Sequence, residues 1–352
     1  MLLDELDSGS QQDQIQIFET LDRFPQHIQQ ALDIIDDINL PKIYNIHNII
    51  FSGFGSSAIS GDILQSYLQS RLSIPIYVNR SFELPGWTRK NTLVFIPSYS
   101  GNTEETIASF RTAIDKKATI IGVSSGGKLK QYCEARSLPH IPIPSGLQSR
   151  TALPFFIFTC LRCLEMTGLF PFDQKNAYND SMHIAKETIM HLNISVPTEQ
   201  NIAKQIALHI SDTIPQIYSY GMYDSIGRRW ASQFNENSKI ISKYDNILEA
   251  IHTDMNGWTE QKRLSDIFSC MLLRDKYQEH SLLKKNIKFM RQLFKSVLVR
   301  TIEVPVIGKQ DLEKMIYLLL VGDYASYYLA LLRHIDPTSS HIIDGMDVHN
   351  NP

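Results

Sequence analysis

Cysteine is scarce: four residues in 352, at positions 133, 160, 163 and 270. That is too few for a disulfide framework in a chain this long, and a reducing compartment fits them. A charge excess is also missing. The formal net charge is −3 and the pI is near 6.4, so no general basic field exists to gather nucleic acid or an anionic membrane. Any anion must be bound locally. The start, Met1-Leu2-Leu3-Asp4-Glu5, is acidic where a signal peptide carries positive charge, and no apolar segment follows it. The expectation is a cytoplasmic protein. The most apolar stretch, 315–332, is broken by Gly322-Asp323 and falls short of about 18 uninterrupted apolar residues, so a buried helix is expected rather than a membrane span. No HxH, HExxH or carboxylate cluster argues for a metal. Cys160 and Cys163 form a CxxC inside the apolar run 153–164 without a second pair, which reads as core. No cofactor is expected.

The chain does have enough mass, 40.3 kDa, for two cores. Its 43% hydrophobic and 20% charged residues are those of an ordinary globular protein. Residues 1–45 have helical periodicity, interrupted at Pro25, and read as a helical lead-in. From 48 onward short β-branched runs alternate with helical stretches. Strands are expected at 48–52, 74–78, 92–97, 119–124 and 141–143, then at 216–220, 239–242, 266–273 and 297–306, with a final helix at 312–334. That rhythm implies α/β architecture with parallel sheets. The expected division is a first subdomain at 46–165, and connecting helices with a second subdomain at 166–352. Both halves place a strand directly before a glycine turn, at Gly53 and at Gly221, which suggests two copies of one fold.

Two loops in the first half carry chemistry. Gly53-Phe54-Gly55-Ser56-Ser57 follows a strand and opens a helix, where glycines permit a tight turn and leave backbone N–H groups for an anion. Such a turn can also serve packing alone. Ser98-Tyr99-Ser100-Gly101-Asn102-Thr103 follows the strand 92–97 and sets three hydroxyls around a glycine at a strand's C-terminal end, where α/β sheets hold ligands. The same residues would also suit a helix N-cap.

Together these loops resemble the phosphosugar-binding SIS family, whose hydroxyl-rich loop grips a sugar phosphate. The resemblance implies phosphate binding by Gly55, Ser57, Ser98, Ser100 and Thr103. Pro144-Ser145-Gly146-Leu147-Gln148-Ser149-Arg150 looks like the arginine turn of the bifunctional phosphoglucose/phosphomannose isomerases, and Arg150 would then stabilise an enediolate. Phe234-Asn235-Glu236-Asn237-Ser238-Lys239 resembles that family's proton-transfer segment, which makes Glu236 the base that moves a proton between C2 and C1. Ile251-His252-Thr253-Asp254-Met255-Asn256-Gly257-Trp258 is similar to the segment whose histidine opens the sugar ring. In the family that histidine crosses a dimer interface, so the resemblance implies a homodimer with His252 supplied by the partner. The implied fold is two SIS-type α/β/α sandwiches, and the implied reaction interconverts glucose 6-phosphate, and mannose 6-phosphate, with fructose 6-phosphate through a cis-enediol.

The resemblance breaks near the C-terminus. Aligned on Ile343 and Met346, the family's ring-opening lysine falls at Asp347, and no lysine follows Lys314. His341, His349 and Lys239 are candidates to compensate. A phosphosugar sensor that keeps the phosphate loops without turnover is the alternative reading.

Overall fold

The computed structural model describes residues 3–4, 18–170, 174–260 and 266–338. The chain divides into two compact units: residues 23–183 with 310–312, and residues 1–22, 184–309 and 313–352.

The first unit opens on α1 (Phe24–Asp36), which starts with a proline in its first turn and buries Phe24, Ile28, Ala31, Leu32 and Ile35. The repeat of those positions is the one-sided stripe of an amphipathic helix. It packs on α5 (Leu153–Met166). Between them run β1 (Asn48–Ser52), α2 (Gly55–Leu68), β2 (Ile76–Asn79), β3 (Thr92–Pro97), α3 (Glu104–Asp115), β4 (Thr119–Ser124), α4 (Gly127–Glu134) and β5 (His140–Pro142). The strands form one sheet in the order β2-β1-β3-β4-β5, and every pairing is parallel. All six residues of β3 are buried, as expected of a central parallel strand covered on both faces. Phe51 and Phe95, partners across β1 and β3, stack with centroids 4.9 Å apart. Cys160 and Cys163 are buried in α5, as the apolar run suggested, and burial raises both thiols, Cys163 to about 12.

The chain passes to the second unit within α6 (Lys175–Leu192). Here α7 (Ile202–Ile210), β6 (Ile214–Ser219), α8 (Asp224–Asn237), β7 (Lys243–Asn246), α9 (Ile247–Ala250), α10 (Asp254–Glu260), β8 (Phe268–Arg274), α11 (Ser281–Ser296), β9 (Arg300–Pro305) and α12 (Asp311–Leu332) follow in order. The sheet order is β7-β6-β8-β9, again all parallel. The α/β class and the two parallel sheets therefore match the sequence reading. α12 is long and apolar enough to cross a membrane by length and composition, yet 94% of its apolar window is buried within the protein. One strand differs. Residues 239–242 were expected to be extended because of Ile240-Ile241, but the strand is Lys243–Asn246, a polar edge strand of which no residue is fully buried.

Candidate active site

Sheet order in the first unit identifies a topological switch point. From β1 the chain moves to β2 on one side, then returns to β3 on the other, so the C-terminal ends of β1 and β3 diverge into a crevice. The two loops singled out in the sequence leave from those two strands.

Gly53 must be a glycine, since a Cβ there would lie 2.9 Å from the Pro97 carbonyl oxygen. This close approach brings the loops together. Gly55 has φ +51, a conformation that suits glycine, and opens α2, whose first turn holds the buried Ser56 and Ser57. In the second loop Gly101 has φ +67, Ser98 is buried, and Ser100 is exposed. Ser98 Oγ donates to Thr103 Oγ1 (3.3 Å), and Ser100 Oγ accepts from the Asn102 N–H (3.2 Å).

Thr103 sits at the N-cap of α3 but makes no capping hydrogen bond, and the Phe54 N-cap of α2 has none. The capping alternative for the hydroxyls at 98–103 is thus not what the side chains do. Two helix N-termini without side-chain caps, each worth roughly 0.3–1 kcal/mol toward an anion, converge at one crevice.

Arg150 lies in a 3-10 turn (Ser149–Ala152) that leads into α5 and packs against α2. It is 8% exposed. The Leu147 N–H donates to Tyr99 Oη (2.6 Å), tying the arginine turn to the hydroxyl loop. Burial raises the Tyr99 phenol, so it stays neutral. The structure therefore gathers Gly55, Ser57, Ser98, Ser100 and Thr103 around the ends of β1 and β3, with Arg150 in the same unit on a turn that contacts α2.

Glu236 and His252 belong to the second unit. Glu236 occupies the last turn of α8, half-buried, between two anchored asparagines. Asn235 Nδ2 donates to the Ala231 carbonyl (2.7 Å) and the Ser242 carbonyl (3.1 Å), while Asn237 Nδ2 donates to Ser326 Oγ (2.8 Å). Upstream, Arg229 forms a buried bidentate pair with Asp323 (3.0 and 2.9 Å), and Trp230 Nε1 donates to the Leu318 carbonyl (2.8 Å). Trp230 fits only because residue 322 is glycine: a Cβ there would sit 2.1 Å from the indole nitrogen. α8 is thereby locked on α12. Lys239 Nζ donates to the main-chain carbonyl of Glu236 itself.

His252 is exposed in the turn between α9 and α10, where its N–H donates to the Glu249 carbonyl (2.9 Å). Nearby Trp258 is buried and donates to Tyr218 Oη (3.1 Å), which donates to Asp254 (3.2 Å).

β6 leads up to α8, α8 runs back, and β7 runs up again. Asn235 contacts Ser242 at the start of β7, whereas Asn246 at its end donates to Asp224 at the start of α8. Glu236 therefore sits at the end of α8 that faces the start of β7, about 18 Å of helix at 1.5 Å per residue from Asp224 at the other end.

At the turn that corresponds to Gly53, the second unit is closed by an internal ion pair. Asp275, just after β8, accepts from Lys314 Nζ (2.8 Å) and Tyr223 Oη (2.9 Å), all three side chains buried. Asp347, His341 and His349 lie outside the described residues. Sequence reading also missed the loop 124–128, which supports the hydroxyl loop. Its Ser-Ser-Gly-Gly after a strand was visible but carried no ligand chemistry of its own.

A duplicated parallel α/β fold with a hydroxyl loop at the switch point of its first sheet defines a phosphosugar-binding protein of the SIS type, and residues 42–143 match the SIS domain family. Residues 199–346 match the bacterial phospho-glucose isomerase C-terminal SIS domain. The bifunctional phosphoglucose/phosphomannose isomerase of Caldicellulosiruptor bescii is 33% identical over 93% of this chain and 97% of its own length. A protein of the same name from Aquifex aeolicus is 29% identical over 82% of this chain and 86% of its own. The chain belongs to the bifunctional phosphoglucose/phosphomannose isomerase family. In fold it is similar to the C-terminal domain of glucosamine-fructose-6-phosphate aminotransferase from Francisella tularensis, with TM-score 0.68 at 13% identity, over 94% of this chain and 99% of that one.

Proposed function

We propose that the protein is a sugar-phosphate isomerase that interconverts glucose 6-phosphate with fructose 6-phosphate, and also mannose 6-phosphate through the enediol the two aldoses share. One observation carries this reading: in a chain of this family, three hydroxyls and two helix N-termini without side-chain caps meet at the switch point of the first sheet.

In this reading the backbone at Gly55 and the hydroxyls of Ser57, Ser98, Ser100 and Thr103 hold the phosphate. His252 exchanges a proton with the ring oxygen or anomeric hydroxyl as the pyranose opens. Glu236 then removes the C2 proton as the C1 carbonyl oxygen gains negative charge, and returns it to C1 to give the ketose. Arg150 stabilises the charge on the enediolate oxygens. Mannose 6-phosphate follows when the C2 proton is taken from the opposite configuration after rotation about C2–C3.

This reading includes a homodimer in which His252 comes from the partner, as the resemblance of residues 251–258 to the family's ring-opening segment implies. We place the protein in the cytoplasm, in keeping with its four free, buried thiols. The test is a coupled assay with fructose 6-phosphate that detects glucose 6-phosphate and mannose 6-phosphate separately. Formation of either aldose, lost in Glu236→Gln, supports the isomerase; fructose 6-phosphate bound without product would make the protein a sensor.

A further inference from the structure

The hydroxyl loop is held from outside as well as by its own hydrogen bonds. Gly101 lies against the loop that follows β4 so closely that a Cβ would come within 2.0 Å of the Gly126 carbonyl oxygen, and one on Gly127 within 2.3 Å of the Ser100 carbonyl oxygen. The two loops are backbone against backbone. They are latched by Ser125 N–H and Ser125 Oγ to the Tyr99 carbonyl (2.9 and 2.7 Å), by the Leu129 N–H to the Gly101 carbonyl (2.9 Å), and by the Lys128 N–H to Asn102 Oδ1 (3.0 Å). Whatever fixes residues 124–128 therefore fixes the phosphate cradle.

What fixes them is a buried serine and a histidine on the next strand. Ser124 Oγ donates to the Gly126 carbonyl (2.8 Å) and accepts from the Gly126 N–H (3.3 Å). His140 pairs with residue 122 across β4 and β5, and its Nε2 lies 2.7 Å from the same oxygen. A hydroxyl has one proton. With that proton given to Gly126, the imidazole must present Nε2–H to Ser124, and the serine then fills its donor and both acceptor positions. Burial first, and then Lys130, lowers the His140 pKa, opposed by Glu134, in keeping with a neutral ring in one tautomer.

We propose that His140 is a positioning residue for phosphate binding: its Nε2–H orients the Ser124 hydroxyl toward Gly126 and so sets the backbone wall on which residues 98–103 fold. It touches no substrate, and acts through Ser124. The inference rests on the phosphate-loop reading given above.

The experiment compares His140→Leu with His140→Gln, whose terminal amide places an N–H where Nε2 stands. Steady-state kinetics with fructose 6-phosphate would be combined with competition by inorganic phosphate. In His140→Leu the KM and the inhibition constant of phosphate are expected to rise together by about ten-fold, with kcat changed less than about two-fold, because uniform binding is what is lost. His140→Gln is expected to recover most of both. Ser124→Ala serves if the leucine variant does not fold, and is expected to raise the same two constants. Unchanged constants in His140→Leu, or a glutamine variant no better than leucine, would overturn the proposal. Wild-type protein that binds neither fructose 6-phosphate nor inorganic phosphate would remove the phosphate-loop reading itself, whereas binding that survives His140→Leu removes the positioning role alone.

Discussion

A glutamate in the last turn of a helix is ordinarily a solvated side chain. At Glu236 the backbone on either side is anchored, since Asn235 and Asn237 hydrogen-bond to Ser242 and Ser326. Loss of a positioned general base costs typically 10²–10⁴-fold. Glu236→Gln, nearly isosteric, is expected to lower kcat by about that factor while leaving fructose 6-phosphate affinity within about three-fold, checked by steady-state kinetics and calorimetric titration. Turnover close to wild type would take the proton-transfer role away from Glu236. Gly101 is the sharpest single test of the cradle. An alanine there combines φ +67 with a Cβ 2.0 Å from the Gly126 carbonyl oxygen, and the loops must part. Gly101→Ala is expected to raise KM at least ten-fold and to lower stability by about 1–3 kcal/mol, measured by urea unfolding. The roles proposed for Glu236 and His252 rest only on segment resemblance, because no spacing rule singles out one carboxylate or one imidazole. That His140 supports the hydroxyl loop was not legible, since it depends on which strand β5 lies beside.

Elements show the same division. β3 and β4 stand where their apolar runs predicted them, 92–97 and 119–124, because a buried parallel strand is a continuous apolar run bounded by polar loops. β7 was misplaced by four residues because Ile240-Ile241 outweighed the polar Lys243–Asn246, which pairs along one side only. The helix α1 carries a pH dependence of its own. His27 is buried on its inner face and tilts against Phe155 at 5.1 Å between centroids. Burial, then Arg23, lowers its pKa from 6.5 to about 4. The unfolded chain therefore binds a proton that the folded chain refuses, so His27 costs nothing above pH 6.5 and destabilises increasingly as pH falls toward 4. At 1.36 kcal/mol per pKa unit, the loss approaches about 3 kcal/mol in that window. Urea midpoints taken between pH 7.5 and 4.5 are expected to fall with a slope that His27→Leu flattens; an equal slope in both proteins would mean that other groups govern the acid limb.

At the scale of the whole molecule, two units of one fold have diverged at their strand ends. The first keeps a crevice of hydroxyls and glycines after β1 and β3, whereas the second fills the corresponding place with Lys314, Asp275 and Tyr223. Duplication was visible in the sequence as two strand–glycine turns, but the plug was not, because Lys314 lies 39 residues from the aspartate it meets. The proposed dimer, with Glu236 and His252 of one site on different chains, is testable. Chains carrying Glu236→Gln and chains carrying His252→Ala, each inactive alone, are expected on mixing and refolding to recover about a quarter of wild-type activity. Half of the dimers are then mixed, each with one intact site. No recovery would mean that His252 serves its own chain.

The most direct measurement is the conversion of fructose 6-phosphate by the purified protein in D₂O, followed by NMR at C2 of the aldose products. With Glu236 as the base of a cis-enediol route, glucose 6-phosphate and mannose 6-phosphate carry deuterium at C2, and Glu236→Gln forms them at least about a hundred-fold more slowly. Undiminished product in Glu236→Gln, or bound fructose 6-phosphate that never becomes an aldose in the wild-type protein, would contradict it.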